Sequence, residues 1–356
     1  MTKIIAEIGV NHNGSIDRAF ELVDVAIESG VDVVKFQMGN PKNVISQQAP
    51  KANYQIESTG GDESQLEMVK KLVLKDSDYL ELAKYCKTKH IEFLATPFDK
   101  ESIGFLSNTM KLQQLKISSG EVTNSQLLYY AARTDKKIIL STGMSTLAEV
   151  EVALGILAHG YLYPKQRPLL SNSKDVFCSP KGQEILQKKV ELLHCTTEYP
   201  SPYSSVNLRA MDTLRAAFNL PVGLSDHTSG IYISIAAVAR GATIIEKHFT
   251  LDKNLPGPDH KASLEPEELK DLVLGIRAIE ESIGHGVKIP ASAEMHNMNI
   301  ARRSLVAAID IKKGDEFTEE NLISKRPGTG ISSIHYWDHI GTKAKRFFSK
   351  DQIINL

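Results

Sequence analysis

Two histidines carry the clearest chemistry in this chain: His227 in Gly-Leu-Ser-Asp-His-Thr and His248 in Glu-Lys-His-Phe-Thr. Each stands just beyond a short apolar run, with one helix-length segment between the runs. If the runs are neighbouring parallel strands, both imidazoles emerge at the same carboxyl edge, where a barrel keeps its chemistry. Neutral imidazoles bind divalent metals, and two of them leave positions open for water and a substrate oxygen, whereas a structural zinc closes four ligands. Asp226 and Glu246 are placed to hydrogen-bond the rings. Hydrogen-bonded core histidines are the plainer alternative.

The other run ends add a consistent inventory. Lys35 and Lys116 bring positive charge, while Ser119, Ser141 and amides near glycines bring donors, which together describe a phosphate site. A lone strand-end lysine is usually a solvated cap; four such groups converging on one rim are not. Glu7 and Glu121 are carboxylates on the same edge, equally able to move a proton or to pair with a lysine. The run Pro256-Gly257-Pro258-Asp259-His260 is a rigid turn whose Asp259 can accept hydrogen bonds from a polyol.

These residues need a scaffold, and the sequence supplies eight β-branched runs: 4–8, 31–36, 91–94, 115–117, 137–140, 190–193, 221–224 and 243–246. Amphipathic stretches separate them, as in 15–29, where Ala19, Leu22, Val23, Ala26 and Ile27 recur with helical period behind a Ser15 cap. Eight βα units predict an α/β fold, a (β/α)8 TIM barrel. An open doubly wound sheet is the alternative, but no Gly-x-Gly-x-x-Gly follows the first run. Residues 38–75 form a polar insertion at the carboxyl edge, suited to a lid or a substrate loop. Residues 160–189 lie on the opposite face and are assigned no chemistry.

The barrel is expected over 1–283, a linker over 284–298 and a small module over 299–356. The module is too short for a generous core of its own and is expected to lean on another surface. With 42 Lys and Arg against 43 Asp and Glu, there is no basic stripe for nucleic acid, and no apolar run approaches the ~20 residues of a membrane span. The first residues lack the features of a secretory signal, so a cytoplasmic location is the expectation. Cys86, Cys178 and Cys195 have no paired spacing; they read as reduced thiols, Cys195 as buried structural sulfur.

Taken in order, the motifs resemble those of the sialic acid synthase family of nonulosonate synthases, over almost the whole chain. They are Glu7-Ile-Gly-Val-Asn-His12, Val34-Lys-Phe-Gln37, Ala95-Thr-Pro-Phe98, Ser119-Gly-Glu121, Ser141-Thr-Gly-Met144, Leu224-Ser-Asp-His-Thr228, Glu246-Lys-His-Phe-Thr250, Gly257-Pro-Asp259 and Lys325-Arg-Pro-Gly328. The resemblance implies a barrel followed by an antifreeze-like (SAF) domain, in a domain-swapped homodimer whose Arg326 reaches the partner's sugar. It implies condensation of phosphoenolpyruvate with an N-acetylmannosamine-type aldehyde, polarised by a divalent metal on His227 and His248. Mn²⁺ is the expected ion, with Mg²⁺ or Co²⁺ possible.

By motif match, Lys35, Thr96, Lys116, Ser119 and Ser141 hold phosphoenolpyruvate, Glu7 and Glu121 lie near its reacting carbons, and Gln37, Thr197, Tyr199, Asp259 and Arg326 hold the sugar. Thr197 departs from members that carry Asn there, which opens the identity of the sugar. The first expectation is an N-acetylneuraminate synthase. The alternative is an N,N'-diacetyllegionaminate synthase using 2,4-diacetamido-2,4,6-trideoxymannose, which the segments 194–200 and 261–266 resemble. A synthase acting on phosphorylated sugars, of the deoxyoctulosonate-phosphate type, and a non-catalytic carbohydrate-binding protein are the remaining readings.

Overall fold

The computed structural model describes residues 1–355, which divide into two compact units, Met1–Gly284 and a second that starts at His285. In the first unit eight parallel strands follow one another: β1 (Lys3–Gly9), β2 (Val33–Met38), β3 (Glu92–Pro97), β4 (Gln114–Ile117), β5 (Lys137–Ser141), β6 (Val190–Cys195), β7 (Val222–Asp226) and β8 (Ile244–His248). β1 pairs with both β2 and β8, and the ends of the hydrogen-bonded order, β3 and β4, lie against each other, so the sheet is a nearly closed TIM-type barrel.

Strand parity decides where each side chain goes. The outward set, including Ile4, Ala6, Ile8, Val34, Phe36, Leu140, Leu192, Leu224 and Ile245, packs under the helices in the main core. The inward set begins with Ile5, Val33, Leu94, Ile139, Leu193 and Ile244, an apolar plug that fills the barrel floor. The helices are set by ordinary signals. Ile16–Ser29 starts where the Ser15 side chain accepts the Arg18 N–H, ends at a left-handed Gly30, and buries Ala19, Leu22, Val23 and Ala26.

The insertion after β2 is not a bare loop; it carries the short helices Pro41–Val44, Asn53–Thr59 and Gln65–Lys70. Buried Lys51 ties it together, donating to Thr59 Oγ1 and the Gly60 carbonyl at 3.0 Å each. Residues 160–189 are likewise helical in large part, with Leu170–Phe177 and Pro180–Lys189 packing on helix Leu147–Leu162.

The second unit pairs β9 (Ser304–Ala307) with β10 (Leu322–Lys325) antiparallel, matching the small module expected there. Its core holds Leu305, Ala307, Ile311, Phe317, Leu322, Ala344, Phe348 and Ile354. Part of the stretch read as linker is helical, as Ser292–Glu294 and Met295–Ala301. Among the described residues no helix is long and apolar enough to cross a membrane.

Candidate active site

Two residues above the apolar plug, the inward face changes character. Each strand now contributes one polar group to a ring: Glu7, Lys35, Thr96, Lys116, Ser141, Cys195, Ser225 and Glu246, from β1 to β8 in turn. One step higher stand Gln37, Ser118, Thr197, His227 and His248, and all of these line a single inner chamber of about 70 Å³.

The ring is an electrostatic lattice. Lys35 makes a close ion pair with Glu7, lies 3.6 Å from Glu246 Oε2, and donates to Thr96 Oγ1 at 3.2 Å. Lys116 lies 3.4 Å from Glu246 Oε1, which also accepts the Ser225 hydroxyl at 2.9 Å. Burial works against the Glu246 carboxylate, but Lys116 and Lys35 outweigh it and hold its pKa below the ordinary value. Burial likewise opposes the Lys35 ammonium, and Glu246 and Glu7 outweigh it. Lys116 and Glu7 go the other way: burial lowers the lysine and raises the carboxyl, against partial compensation by Glu246 and by Lys35 respectively. Glu7 is therefore the ring carboxyl that takes up a proton most readily, while Glu246 stays ionised.

The imidazoles face each other across the chamber with ring centroids 5.6 Å apart. His227 Nδ1 lies 2.8 Å from the Thr196 carbonyl, which can only accept, so Nδ1 carries hydrogen and the free lone pair of the neutral ring is on Nε2. Burial disfavours charge on His227, but Cys195, 3.7 Å away, and the Thr196 carbonyl outweigh it, so the local field favours a cation. His248 is held neutral by burial and by His227, and its Nδ1 is buried with no partner among the described residues. Two imidazoles so placed fit a divalent metal. Among the described residues no three His, Cys, Asp or Glu side chains cluster tightly enough to enclose one, so further coordination would fall to substrate and water.

The expected partners of these rings are elsewhere. Asp226 accepts from Thr228, Ser234 and Lys247 in the layer outside the barrel, and Glu246 belongs to the lysine ring. Cys195 is a buried free thiol, as expected, and it faces inward beside His227.

Gly9 explains how close the groups come. A side chain there would meet Glu7 Oε1 at 3.0 Å, Gln37 Nε2 at 3.2 Å and His248 Cε1 at 3.3 Å, and its φ of +55° already favours glycine. Gln37 Nε2 donates to Glu7 Oε1 at 3.1 Å, and the Gly143 N–H donates to Ser119 Oγ at 2.9 Å. The hydroxyls of Ser141 and Thr197, two residues that line the chamber, are buried without a partner among the described residues.

Beyond the ring lies a second chamber of about 410 Å³ that shares Gln37, Phe98, Ser118, Tyr199 and His248 with the first. Tyr199 forms the partition, its ring 4.1 Å from His227 and 4.9 Å from Tyr54 of the insertion. Asp259 lines this chamber, and burial followed by the Glu7 charge pushes its pKa up to about 6. Glu121 lines it too, hydrogen-bonded to Asn124 at 2.7 Å, and so stands apart from the Glu7 ring with which the motif match had grouped it. Arg326 is exposed in the second unit, its Nε donating to the Ala301 carbonyl at 3.1 Å. Sequence reasoning had not assigned Ser225, Glu246 or Tyr54 a place among the binding groups; inward parity in β7 and β8 signals the first two, and nothing in the sequence signals the third.

A nearly closed barrel with a polar ring and paired imidazoles at its carboxyl end defines an enzyme of the (β/α)8 class. Residues 22–288 match the NeuB family and residues 302–355 the SAF domain. The chain belongs to the NeuB family. It is 50% identical to N,N'-diacetyllegionaminic acid synthase of Campylobacter jejuni, over 99% of this chain and 98% of that protein. It is 43% identical to the Legionella pneumophila protein of the same name, over 96% and 89%. Among solved structures, the N-acetylneuraminic acid synthetase of Leptospira borgpetersenii in complex with citrate is similar, with 32% identity, a TM-score of 0.66, and coverage of 83% of this chain and 90% of that one.

Proposed function

We propose that this enzyme condenses phosphoenolpyruvate with 2,4-diacetamido-2,4,6-trideoxymannose, releasing phosphate and N,N'-diacetyllegionaminate. The observation that carries the reading is the pair of joined chambers: a small cationic one for a compact anion, opening through Tyr199 and the imidazoles into a larger one for a sugar. The choice of sugar is supported by 50% and 43% identity to two legionaminic acid synthases, against 32% to the sialic acid synthetase structure. N-acetylmannosamine, the first expectation from sequence, thereby becomes the second.

Phosphoenolpyruvate carries a carboxylate and a phosphate, which Lys35 and Lys116 attract and which the hydroxyls of Thr96, Ser119, Ser141 and Ser225 can bond. Its C3 then attacks the sugar's aldehyde carbon. The carbonyl electron pair moves onto the aldehyde oxygen, which takes a proton from Glu7, and positive charge develops at C2. Water adds at C2 and returns a proton to Glu7; the C2–O bond to phosphate then breaks as the new hydroxyl's proton passes to the departing phosphate oxygen, leaving a ketone and free phosphate. The ionised Glu246 stabilises the cationic centre between the lysines. A divalent metal, Mn²⁺ by preference, would be held by His227 and His248 and would supply Lewis-acid polarisation of the aldehyde. Gln37, Thr197, Tyr199 and Asp259 are assigned to the sugar. In a domain-swapped homodimer, the final part of this proposal, Arg326 would complete the partner's site, which a solution mass would test.

Phosphoenolpyruvate labelled with ¹⁸O at its bridging oxygen tests the reaction. The label is expected in the released phosphate, with turnover lost after chelation and in His248→Ala. Label retained in the organic acid, or full activity in chelated protein, would sink the scheme.

A further inference from the structure

The outer chamber carries a finer assignment, which rests on the condensation proposed above. The inner chamber, about 70 Å³, is filled by the charged ring, so a sugar whose aldehyde reaches Glu7 and the imidazoles must extend its remaining carbons into the outer one. Around the shared opening that sugar meets polar groups, Gln37, Tyr199 and Asp259. The insertion after β2 offers something different: alongside Tyr54, Gln55 and Gln65 it brings Val44, Ile45, Met68, Val69 and Leu72 to the chamber as an apolar wall. Its amides, Gln55 and Gln65, are partly committed, since Gln55 Oε1 accepts the Ala52 N–H at 3.0 Å and the Gln65 amide at 3.4 Å.

We infer that this wall is the subsite for the sugar's C6 end, selecting a methyl group over a hydroxymethyl. A hydroxyl pressed against Val69 and Leu72 would give up its water with no donor or acceptor from those side chains in return, whereas a methyl group gains by leaving water. The discrimination available to such a wall is bounded, because an apolar pocket rejects one added hydroxyl by no more than roughly 100-fold. The insertion is thus a specificity element rather than part of the condensing machinery, and its helices Asn53–Thr59 and Gln65–Lys70 position the wall.

Two sugars identical except at C6 isolate the effect: 2,4-diacetamido-2,4,6-trideoxymannose and 2,4-diacetamido-2,4-dideoxymannose. The unmodified enzyme is expected to favour the first in kcat/KM by about 10- to 100-fold. Val69→Thr, which preserves shape, and Leu72→Asn should each shrink that ratio at least about threefold, with the KM for phosphoenolpyruvate unchanged. Both positions are only partly buried, and far-UV circular dichroism checks that each variant folds. Equal use of the two sugars, or an unchanged ratio in both variants, would overturn the subsite and leave the condensation standing. No phosphate release with either sugar would overturn the condensation, and this assignment with it.

Discussion

The ion pair between Asp226 and Lys247 offers a quantitative test of how the barrel holds its two histidines. These residues are register partners on β7 and β8, and each immediately precedes one imidazole. Their side chains are 1% and 0% exposed, and Lys247 Nζ lies 2.9 Å from Asp226 Oδ2. Asp226 also accepts from the Thr228 N–H at 2.9 Å, the Thr228 hydroxyl at 2.8 Å and the Ser234 hydroxyl at 2.6 Å. Asp226→Ala leaves the Lys247 ammonium buried with the Thr228 carbonyl as its remaining acceptor. Removing one partner of a buried pair costs about 3–5 kcal/mol. At roughly 2–4 °C per kcal/mol for a chain of this size, the barrel should melt about 6–20 °C lower. Far-UV circular dichroism is the suitable probe, since the single tryptophan, Trp337, sits in the terminal unit. Replacing both partners, as Asp226→Leu with Lys247→Met, should recover most of the loss, because an apolar pair carries no unpaired charge. A shift under about 2 °C for Asp226→Ala, or a double variant as unstable as the two singles summed, would refute the reasoning.

Three further outcomes are expected. Lys116→Met removes one charge-assisted bond worth about 1.5–3 kcal/mol, so the KM for phosphoenolpyruvate should rise roughly 10- to 100-fold in steady-state assays; an unchanged KM would place the anion elsewhere. Gly9→Ala forces a side chain between Glu7, Gln37 and His248 at a positive φ, and should cut kcat/KM by about 100-fold or more, against no loss if that crowding is relieved by the loop. Burial lowers the pKa of both His12 and His260 to about 4, below the ordinary 6.5. The unfolded chain therefore binds more protons between those values, and stability is lost as pH falls from 6.5 towards 4, by up to about 3 kcal/mol for His12. His12→Asn should narrow the gap between melting temperatures at pH 7 and pH 4.5; an unaltered gap would rule His12 out as its source.

Much of this was written in the sequence because parallel strands have a two-residue period. Once 4–8 and 243–246 are strands, Ile5 and Ile244 on the inward face place Glu7 and Glu246 inward as well, two residues on. The same count predicts Lys35, Thr96, Lys116 and Ser141, and it should have placed Ser225 and Cys195 in the ring. Long-range detail was not legible. Asp226 and Glu246 adjoin the histidines in sequence, yet strand alternation turns Asp226 outward to Lys247, while Glu246 is claimed by lysines from β2 and β4. Glu121 follows β4 by only a short turn, but that turn carries it to the outer chamber. The insertion's role was the least legible, because its wall is assembled from short helices whose packing no local period encodes.

The central claim is that the chain joins phosphoenolpyruvate to the trideoxy sugar. The most direct measurement places 2,4-diacetamido-2,4,6-trideoxymannose and N-acetylmannosamine in equal amounts in one vessel with the purified protein, phosphoenolpyruvate and Mn²⁺. The ratio of the two nonulosonic acids formed, read by mass spectrometry, equals the ratio of kcat/KM values. The account predicts phosphate release matched by N,N'-diacetyllegionaminate in at least about tenfold excess. Predominance of N-acetylneuraminate, or no phosphate release from the mixture, would contradict it.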